Sequence, residues 1–219
     1  MRKPAALSAL LICVVVLLTG CTDAFKTEDL VSVLKEHGDS KFSSLESYNA
    51  RWGTGSGSGT DLMPYTSSNT NSDGSMKEPA YYVSKDPEEA DLLYKIELDD
   101  REKSGIFLEE MVAAHSGDNN ALWLAVAKQE YSAQDIYDNC EAAVKEEYAY
   151  LTENNTNASI SSGSKNGYTY TLLHYKSGDD INMGGGLYIK RNAVIMISSD
   201  NGDDYFFKKL GLVSPFDLN

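Results

Sequence analysis

The most constraining feature of the chain is an apolar pattern between residues 132 and 152. Apolar side chains recur there at steps of four, four, four and three residues: Ile136, Cys140, Val144, Tyr148 and Leu151. This spacing places them on one face of an amphipathic α-helix. Ser132 and Asp135 form a capping-box pattern that predicts where the helix starts. Such a helix must cover another apolar layer, so we expect Cys140 to be buried against a sheet.

Shorter patterns predict the strands of that sheet. Residues 121–127 are a continuous apolar run, typical of a central strand buried on both faces. Residues 92–98 alternate between apolar and polar side chains, which predicts a strand with one buried face. Arg191 and Asn192 predict a turn between two strands. Further strands are predicted at residues 106–113, 168–176, 187–190 and 193–198, whereas residues 153–167 are predicted to be a polar loop.

Together these elements predict an α+β fold. Strands come first, then the long helix, more strands and a short helix at about residues 204–210. This order favours an antiparallel β-sheet covered on one face by the long helix at about 132–152 and by the short C-terminal helix. We therefore expect a two-layer domain.

The N-terminal third predicts a helix and then a linker. Residues 28–37 have an apolar face, with Thr27 as the expected cap and Gly38 as the expected stop. Residues 53–78 are rich in Gly, Ser, Thr and Asn, and we interpret them as a flexible linker before an α+β domain at 79–219. The alternative is a long loop of one domain, with the first helix packed on the core.

Charge and cysteine content exclude several classes of protein. The chain carries 33 acidic and 19 basic residues, a net charge of −14. Nucleic acid is an unfavourable partner, because its binding depends on clustered Lys and Arg. The same charge is expected to repel anionic lipid headgroups. The three cysteines are Cys13, Cys21 and Cys140, so a disulfide framework is not expected.

The first 21 residues form an ordered pattern. Arg2 and Lys3 are followed by an apolar run at residues 5–18, then by the small residues Thr19 and Gly20, and then by Cys21. The run is shorter than the roughly 20 residues that a transmembrane helix needs. It is typical of an export signal.

The stretch Leu18-Thr19-Gly20-Cys21 resembles the lipobox of bacterial lipoproteins. The resemblance implies that Cys21 receives a diacylglycerol group and that residues 1–20 are removed as a signal peptide. It also implies a lipid-anchored segment at 21–52 and a location on the cell membrane, facing out of the cytoplasm. The alternative is an ordinary signal peptide with a chance cysteine. No family is recognised for the mature domain.

Catalytic and metal-binding patterns are weak. Ser32 and Lys35 fit S-x-x-K and residues 199–201 read S-D-N, two motifs of the penicillin-binding and class A β-lactamase family, but the K-T-G motif does not follow. The histidines lack the spacing of metal ligands. They are His37, His115 and His174. The acidic stretches at 179–180 and 199–204 are interpreted as Asx-rich turns rather than calcium loops.

Other residues also have ordinary interpretations. The glycines at 184–186 are interpreted as flexible backbone. The 14 tyrosines could form a binding face, although Tyr148, Tyr168 and Tyr170 occupy core-like positions.

The sequence thus predicts a membrane-anchored lipoprotein outside the cytoplasm, with Cys21 as its only assigned site residue. We expect a non-enzymatic binding or accessory domain of the cell envelope, with an envelope protein or glycan as a possible partner. No catalytic residue, cofactor or metal is assigned. The alternative is an envelope hydrolase whose carboxylates are brought together only by the fold. A Ser–His pair within hydrogen-bond reach would favour that alternative.

Overall fold

The computed structural model describes residues 23–52, 78–98, 107–116, 120–154, 156–177 and 181–218. The helices are α1 (Thr27–His37), α2 (Leu45–Trp52), α3 (Pro87–Leu98), α4 (Glu130–Glu153) and α5 (Tyr205–Lys209), followed by a 3₁₀ turn at Pro215–Asp217. The strands are β1 (Ser40–Lys41), β2 (Ala80–Ser84), β3 (Leu108–Ser116), β4 (Asn120–Ala127), β5 (Asn157–Lys165), β6 (Tyr168–Ser177), β7 (Ile181–Lys190) and β8 (Ala193–Ser199). The α+β class is confirmed.

All eight strands join one sheet in the order β1-β2-β3-β4-β8-β7-β6-β5. Neighbouring strands are antiparallel except for β1 and β2, which pair in parallel through Ser40–Ala80 and Lys41–Tyr81. The sheet is therefore mixed rather than purely antiparallel. The parallel pair arises because the chain re-enters the sheet after α2 in the same direction as β1.

The predicted two-layer arrangement is wrong, because helices cover both faces of the sheet. One core cluster contains side chains of α3 and α4 with Trp123 of β4. A second cluster contains side chains of α1 and α5 with Leu122, the preceding residue of β4. Successive side chains of a strand point to opposite faces. A central strand that is apolar on both sides therefore needs cover on both sides.

Helix α4 lies on the first of these faces. Its buried side chains include Ala133, Ile136, Cys140 and Val144, and Cys140 has no exposed surface. The predicted capping box is wrong, because the helix begins two residues earlier with Gln129 as the N-cap residue. The Ser132 hydroxyl is instead buried, without a hydrogen-bond partner among the described residues.

Residues 92–98 form part of helix α3 and not the predicted strand. Pro87 occupies the first helical position, where proline is favoured. The Asp86 carboxylate accepts hydrogen bonds from the backbone N–H groups of Glu88 and Glu89 at 3.0 and 3.1 Å. The buried side chains follow helical spacing and leave Leu92 exposed. The alternation of apolar and polar residues at 92–98 therefore arose by chance within a helical pattern.

The predicted polar loop at 153–167 is also wrong over most of its length. Residues 157–165 form the edge strand β5, which pairs with β6 along its whole length. Its small side chains suit that position: a Cβ at Gly163 would lie 2.6 Å from the Tyr170 hydroxyl oxygen. Backbone pairing and close packing thus outweigh the low strand propensity of this segment.

The N-terminal segment belongs to the same core as the rest of the domain. Leu30, Val33 and Leu34 of α1 pack with residues of β2, β3 and β4. Gly38 ends α1 in the left-handed conformation, as predicted, but Lys26 rather than Thr27 is the N-cap residue. We therefore correct the domain boundary at 79, in agreement with the alternative in which the first helix packs on the core. The predicted linker lies, except for Glu78, outside the described residues. Among the residues described, no helix is long and apolar enough to cross a membrane.

Candidate functional site

The strand registers divide the sheet into two chemically different ends. One end, which we call the basic end, contains the strand termini Leu108, Ala127 and Ala193 and the neighbouring residues Lys128, Lys190 and Arg191. The other, which we call the histidine end, contains the strand residues His115, Ser116, Asn120, His174 and Ser199. Helix α1 runs from Lys26 at the basic end to His37 at the histidine end.

At the histidine end, the fold brings together a serine, a histidine and an aspartate. The Ser116 hydroxyl donates to the Asp39 carboxylate at 2.5 Å, and its oxygen lies 3.0 Å from His37 Nδ1. His37 Nδ1 also lies 3.0 Å from the other Asp39 oxygen. Ser116 and the Asp39 side chain have no exposed surface. A Ser–His pair within hydrogen-bond reach is therefore present, which is one of the features that would favour the hydrolase alternative.

The geometry of this cluster differs from that of a catalytic triad. In a triad, serine and aspartate contact opposite nitrogens of the histidine ring, so that the ring can take the serine proton. Here both contact Nδ1. Because the Asp39 carboxylate accepts a hydrogen bond from Nδ1, this nitrogen must carry a hydrogen. The Ser116 hydroxyl proton is therefore directed to Asp39 and not to the histidine ring. Since Ser116 is also buried, the cluster connects α1 to β3 and does not present a nucleophile.

A second cluster lies on the opposite face of the same strand end. The Tyr48 hydroxyl donates to Glu97 Oε1 at 2.6 Å, and His115 Nε2 lies 3.9 Å from Glu97 Oε2. Burial raises the pKa of Glu97 to about 7, although the Tyr48 hydrogen bond acts in the opposite direction. Burial and the Glu97 charge raise the pKa of Tyr48 well above its usual range. A carboxyl group with a pKa near neutrality can act as a general acid or base.

The predicted S-D-N stretch covers the last residue of β8 and the start of the turn that follows it, also at the histidine end. Ser199 is buried and donates to the Asp203 carbonyl at 2.6 Å. Asp200 Oδ1 accepts from the Asn201 N–H, and Asp203 Oδ1 accepts from the Tyr205 N–H. The bond from Tyr205 to Asp203 is of the Asx type, as the turn interpretation predicts. Ser32, the serine of the S-x-x-K motif, is exposed on α1. The serines of the two predicted motifs therefore have different structural roles, since Ser199 is buried.

The three histidines do not come together. His115 and His174 lie on β3 and β6, which are separated by β4, β8 and β7 in the sheet. His174 Nε2 is instead hydrogen-bonded to the Asn182 side chain at 2.8 Å. Within the described residues, no group of three or more His, Cys, Asp or Glu side chains is arranged to hold a metal ion.

The glycine run in β7 has a packing role, which corrects its interpretation as flexible backbone. A Cβ at Gly184 would lie 2.7 Å from Pro215, and one at Gly186 would clash with the Tyr188 ring. Tyr188 is fully buried and donates to the Val213 carbonyl at 2.6 Å. The glycines therefore let an aromatic ring and the C-terminal turn pack on the sheet.

Most tyrosines for which burial is described contribute to the core rather than to a binding face. Tyr168 is buried, while Tyr148 and Tyr170 are partly buried against the clusters. Tyr131 and Tyr150 are strongly exposed, at 62% and 66% of their surface. Tyr131 lies at the basic end.

The basic end contains an open cleft of about 590 Å³. Lys26, Lys128 and Arg191 line it together with two acidic residues, Asp23 and Glu130. The hydrogen bond from Lys26 lowers the pKa of Asp23, and the charges of Lys190 and Arg191 act in the same direction. Arg191 Nε contacts Glu130 at 3.2 Å. The cleft is thus an open, polar site whose lining carries three cations and two carboxylates.

The predicted lipid-anchor residue, Cys21, lies outside the described residues. The described chain begins at Asp23, which lines the cleft at the basic end. The sequence did not identify the cations of this end as a group, because they come from three separate segments. No family model matches the chain, and no curated protein or solved structure is significantly similar to it.

Proposed function

We propose that the protein is a bacterial lipoprotein anchored outside the cytoplasm by acyl chains on Cys21. We further propose that its folded domain is a non-enzymatic binding or accessory component of the cell envelope. The observation that carries the proposal is the lipobox Leu18-Thr19-Gly20-Cys21, which ends two residues before the described fold begins at Asp23. Acyl chains on Cys21 would therefore hold the domain directly beside the membrane.

At the cluster of Ser116, His37 and Asp39, burial favours a binding or accessory role over catalysis. The cluster that most resembles a hydrolase site has a serine without exposed surface, and its proton is directed to Asp39. A nucleophile must reach its substrate, so this serine would need a rearrangement of α1 before it could react. A binding or accessory role requires no such rearrangement.

The anchor is tested by metabolic labelling with an alkyne fatty acid. The wild-type chain should take up the label and partition into detergent. Cys21→Ser should do neither, because a hydroxyl cannot form the thioether. Cys13→Ser and Cys140→Ser are matched controls and should label like the wild type. An unlabelled wild-type chain that stays in the aqueous phase would refute the proposal.

We also propose that α4 acts as the long amphipathic cover of one sheet face, with α5 on the other. The buried residues Ile136, Cys140 and Val144 support this role. If it is correct, a thiol reagent should modify Cys140 slowly in the native protein and rapidly in urea.

A carboxylate-based hydrolase is the second candidate, favoured by Glu97. Its raised pKa and its contact with Tyr48 suit a general acid. Glycoside hydrolysis normally needs a second carboxylate, whereas the Glu97 contacts described above are with Tyr48 and His115. Turnover of fluorogenic glycosides that is lost in Glu97→Gln would support this candidate, and no turnover by the wild type would count against it.

A further inference from the structure

The positive charges of the basic end contrast with the rest of the chain. Lys26, Lys128, Lys190 and Arg191 lie around the cleft, whose lining contributes two carboxylates, Asp23 and Glu130, while Glu28 and Asp29 also lie near Lys26. The protein as a whole has a net charge of −14. Four cations are therefore grouped around one cleft of an otherwise acidic molecule, where they can attract an anion locally.

Two of these cations are available to an external anion. Lys128 and Lys190 form no ion pair with any residue in the described part of the chain. The other two have exposed partners: the Lys26 and Asp23 side chains are 53% and 72% exposed, and those of Arg191 and Glu130 are 50% and 65% exposed. Exposed pairs of this kind are weak and can exchange partners at low cost.

Two large aromatic side chains are exposed at the same end. Tyr131 borders the cleft and is 62% exposed, and Phe107 is 56% exposed. The Phe107 carbonyl accepts a hydrogen bond from the Lys128 N–H at 2.8 Å, which places the phenylalanine directly beside the cations. Aromatic rings next to Lys and Arg are typical of surfaces that rest in the headgroup region of a membrane.

The position at which the chain enters the fold indicates that the basic end faces a membrane. Cys21 precedes Asp23 by two residues, a span of about 7 Å at most. If Cys21 carries acyl chains, as in the function proposed above, the basic end is the part of the domain that faces the lipid surface.

We propose that the basic end is a membrane-docking surface that binds the phosphates of anionic phospholipids. Lys128 and Lys190 supply the main contacts, Lys26 and Arg191 add to them, and Phe107 and Tyr131 insert between headgroups. This interaction orients the strands along the membrane normal. The histidine end is then held about 25 to 30 Å from the lipid, since strands of this length rise about 3.3 Å per residue. The expectation that charge keeps the domain off anionic lipid is replaced by one in which charge orients it.

The proposal is tested with the acylated protein reconstituted in vesicles of phosphatidylcholine alone or mixed with phosphatidylglycerol. An environment-sensitive dye is attached at Tyr131→Cys or, as the opposite-end control, at Asn201→Cys. Cys140 is buried and the Cys21 thiol is consumed by acylation, so only the introduced thiol reacts. We expect a blue shift of the Tyr131→Cys dye in vesicles with phosphatidylglycerol, and no shift of the Asn201→Cys dye.

Charge-reversal pairs separate specific docking from general charge effects. Lys128→Glu with Lys190→Glu should abolish the blue shift. The matched pair Lys41→Glu with Lys176→Glu makes the same charge change away from the basic end and should leave the shift intact. Equal emission in both vesicle types, or equal behaviour of the two charge-reversal pairs, would overturn the proposal.

A failure of acylation is distinguished by the mass of the N-terminal peptide. In that case the same vesicles are sedimented with the unacylated chain from residue 22, which contains every described residue. Salt-sensitive binding to phosphatidylglycerol, weakened about tenfold or more by Lys128→Glu with Lys190→Glu, would still support the docking surface. No binding of this chain would overturn it.

Discussion

The two ends of the sheet use their polar residues in opposite ways. At the basic end, the ion pair between Arg191 and Glu130 joins side chains that are 50% and 65% exposed. At the histidine end, Asp39 has no exposed side-chain surface and accepts from both Ser116 and His37. The polar groups of the first end face the solvent, whereas those of the second connect elements of the fold.

This difference shows that residue type alone is a poor guide to function. The histidine end holds the combination that suggests an enzyme, but burial and hydrogen-bond direction make it structural. The basic end carries surface lysines and an arginine without a catalytic combination, yet its groups are the ones that a partner can reach. The comparison therefore predicts that substitutions at the histidine end lower the free energy of unfolding strongly, whereas substitutions at the basic end lower it little.

The largest effect is expected from Asp39→Ala. This substitution removes the carboxylate acceptor of the buried Ser116 hydroxyl and of the His37 Nδ1–H, whose side chain is 25% exposed. We expect the free energy of unfolding to fall by about 4 kcal/mol, as for other buried polar clusters that lose one partner. Urea denaturation monitored by circular dichroism measures the change. A loss below 1 kcal/mol would show that the cluster is solvated and would reopen the enzyme interpretation.

A smaller effect on the free energy of unfolding is expected from the titration of Glu97. Its pKa is about 7 in the folded protein, against a usual value of 4.5. Between these values the folded state holds a proton that the unfolded state has lost, so stability falls as pH rises from about 5 to 7. Over the whole titration of Glu97, the free energy of unfolding falls by about 3 kcal/mol.

Glu97→Gln isolates this contribution, because the amide does not titrate. Urea midpoints at pH 5 and pH 7 should differ less in Glu97→Gln than in the wild type. If both proteins lose the same stability over this interval, the Glu97 carboxyl is ionised throughout and the cluster is more hydrated than its contacts indicate.

The sequence predicted those parts of the fold whose signals are local. The run at 121–127 and the strands near residues 170 and 195 are confirmed, because an apolar run or alternation is decided by neighbouring residues. Helix α3 was missed because the alternation at 92–98 also fits a strand, although Pro87 occupies the first helical position. Strand β5 was missed because its small polar residues carry no strand signal and depend on pairing with β6.

The sites were less predictable than the fold because they are not local. His37 and Ser116 lie 79 positions apart and meet only through the packing of α1 on β3. The cations at Lys128, Lys190 and Arg191 each follow or end a predicted strand, so the sequence places them at strand ends. Which end they share depends on the strand order, and no local pattern specifies that order.

The smallest effect is expected at the basic end itself. Arg191→Ala removes a cation whose pairing with Glu130 is largely exposed, and such pairs contribute about 0 to 1 kcal/mol. We expect a loss of less than about 0.5 kcal/mol in the free energy of unfolding. A double-mutant cycle with Glu130→Ala measures the pair itself. A coupling energy above about 1 kcal/mol, or one that does not weaken in high salt, would mean that Arg191 is held as firmly as Asp39. The contrast between a structural end and an accessible end would then be lost.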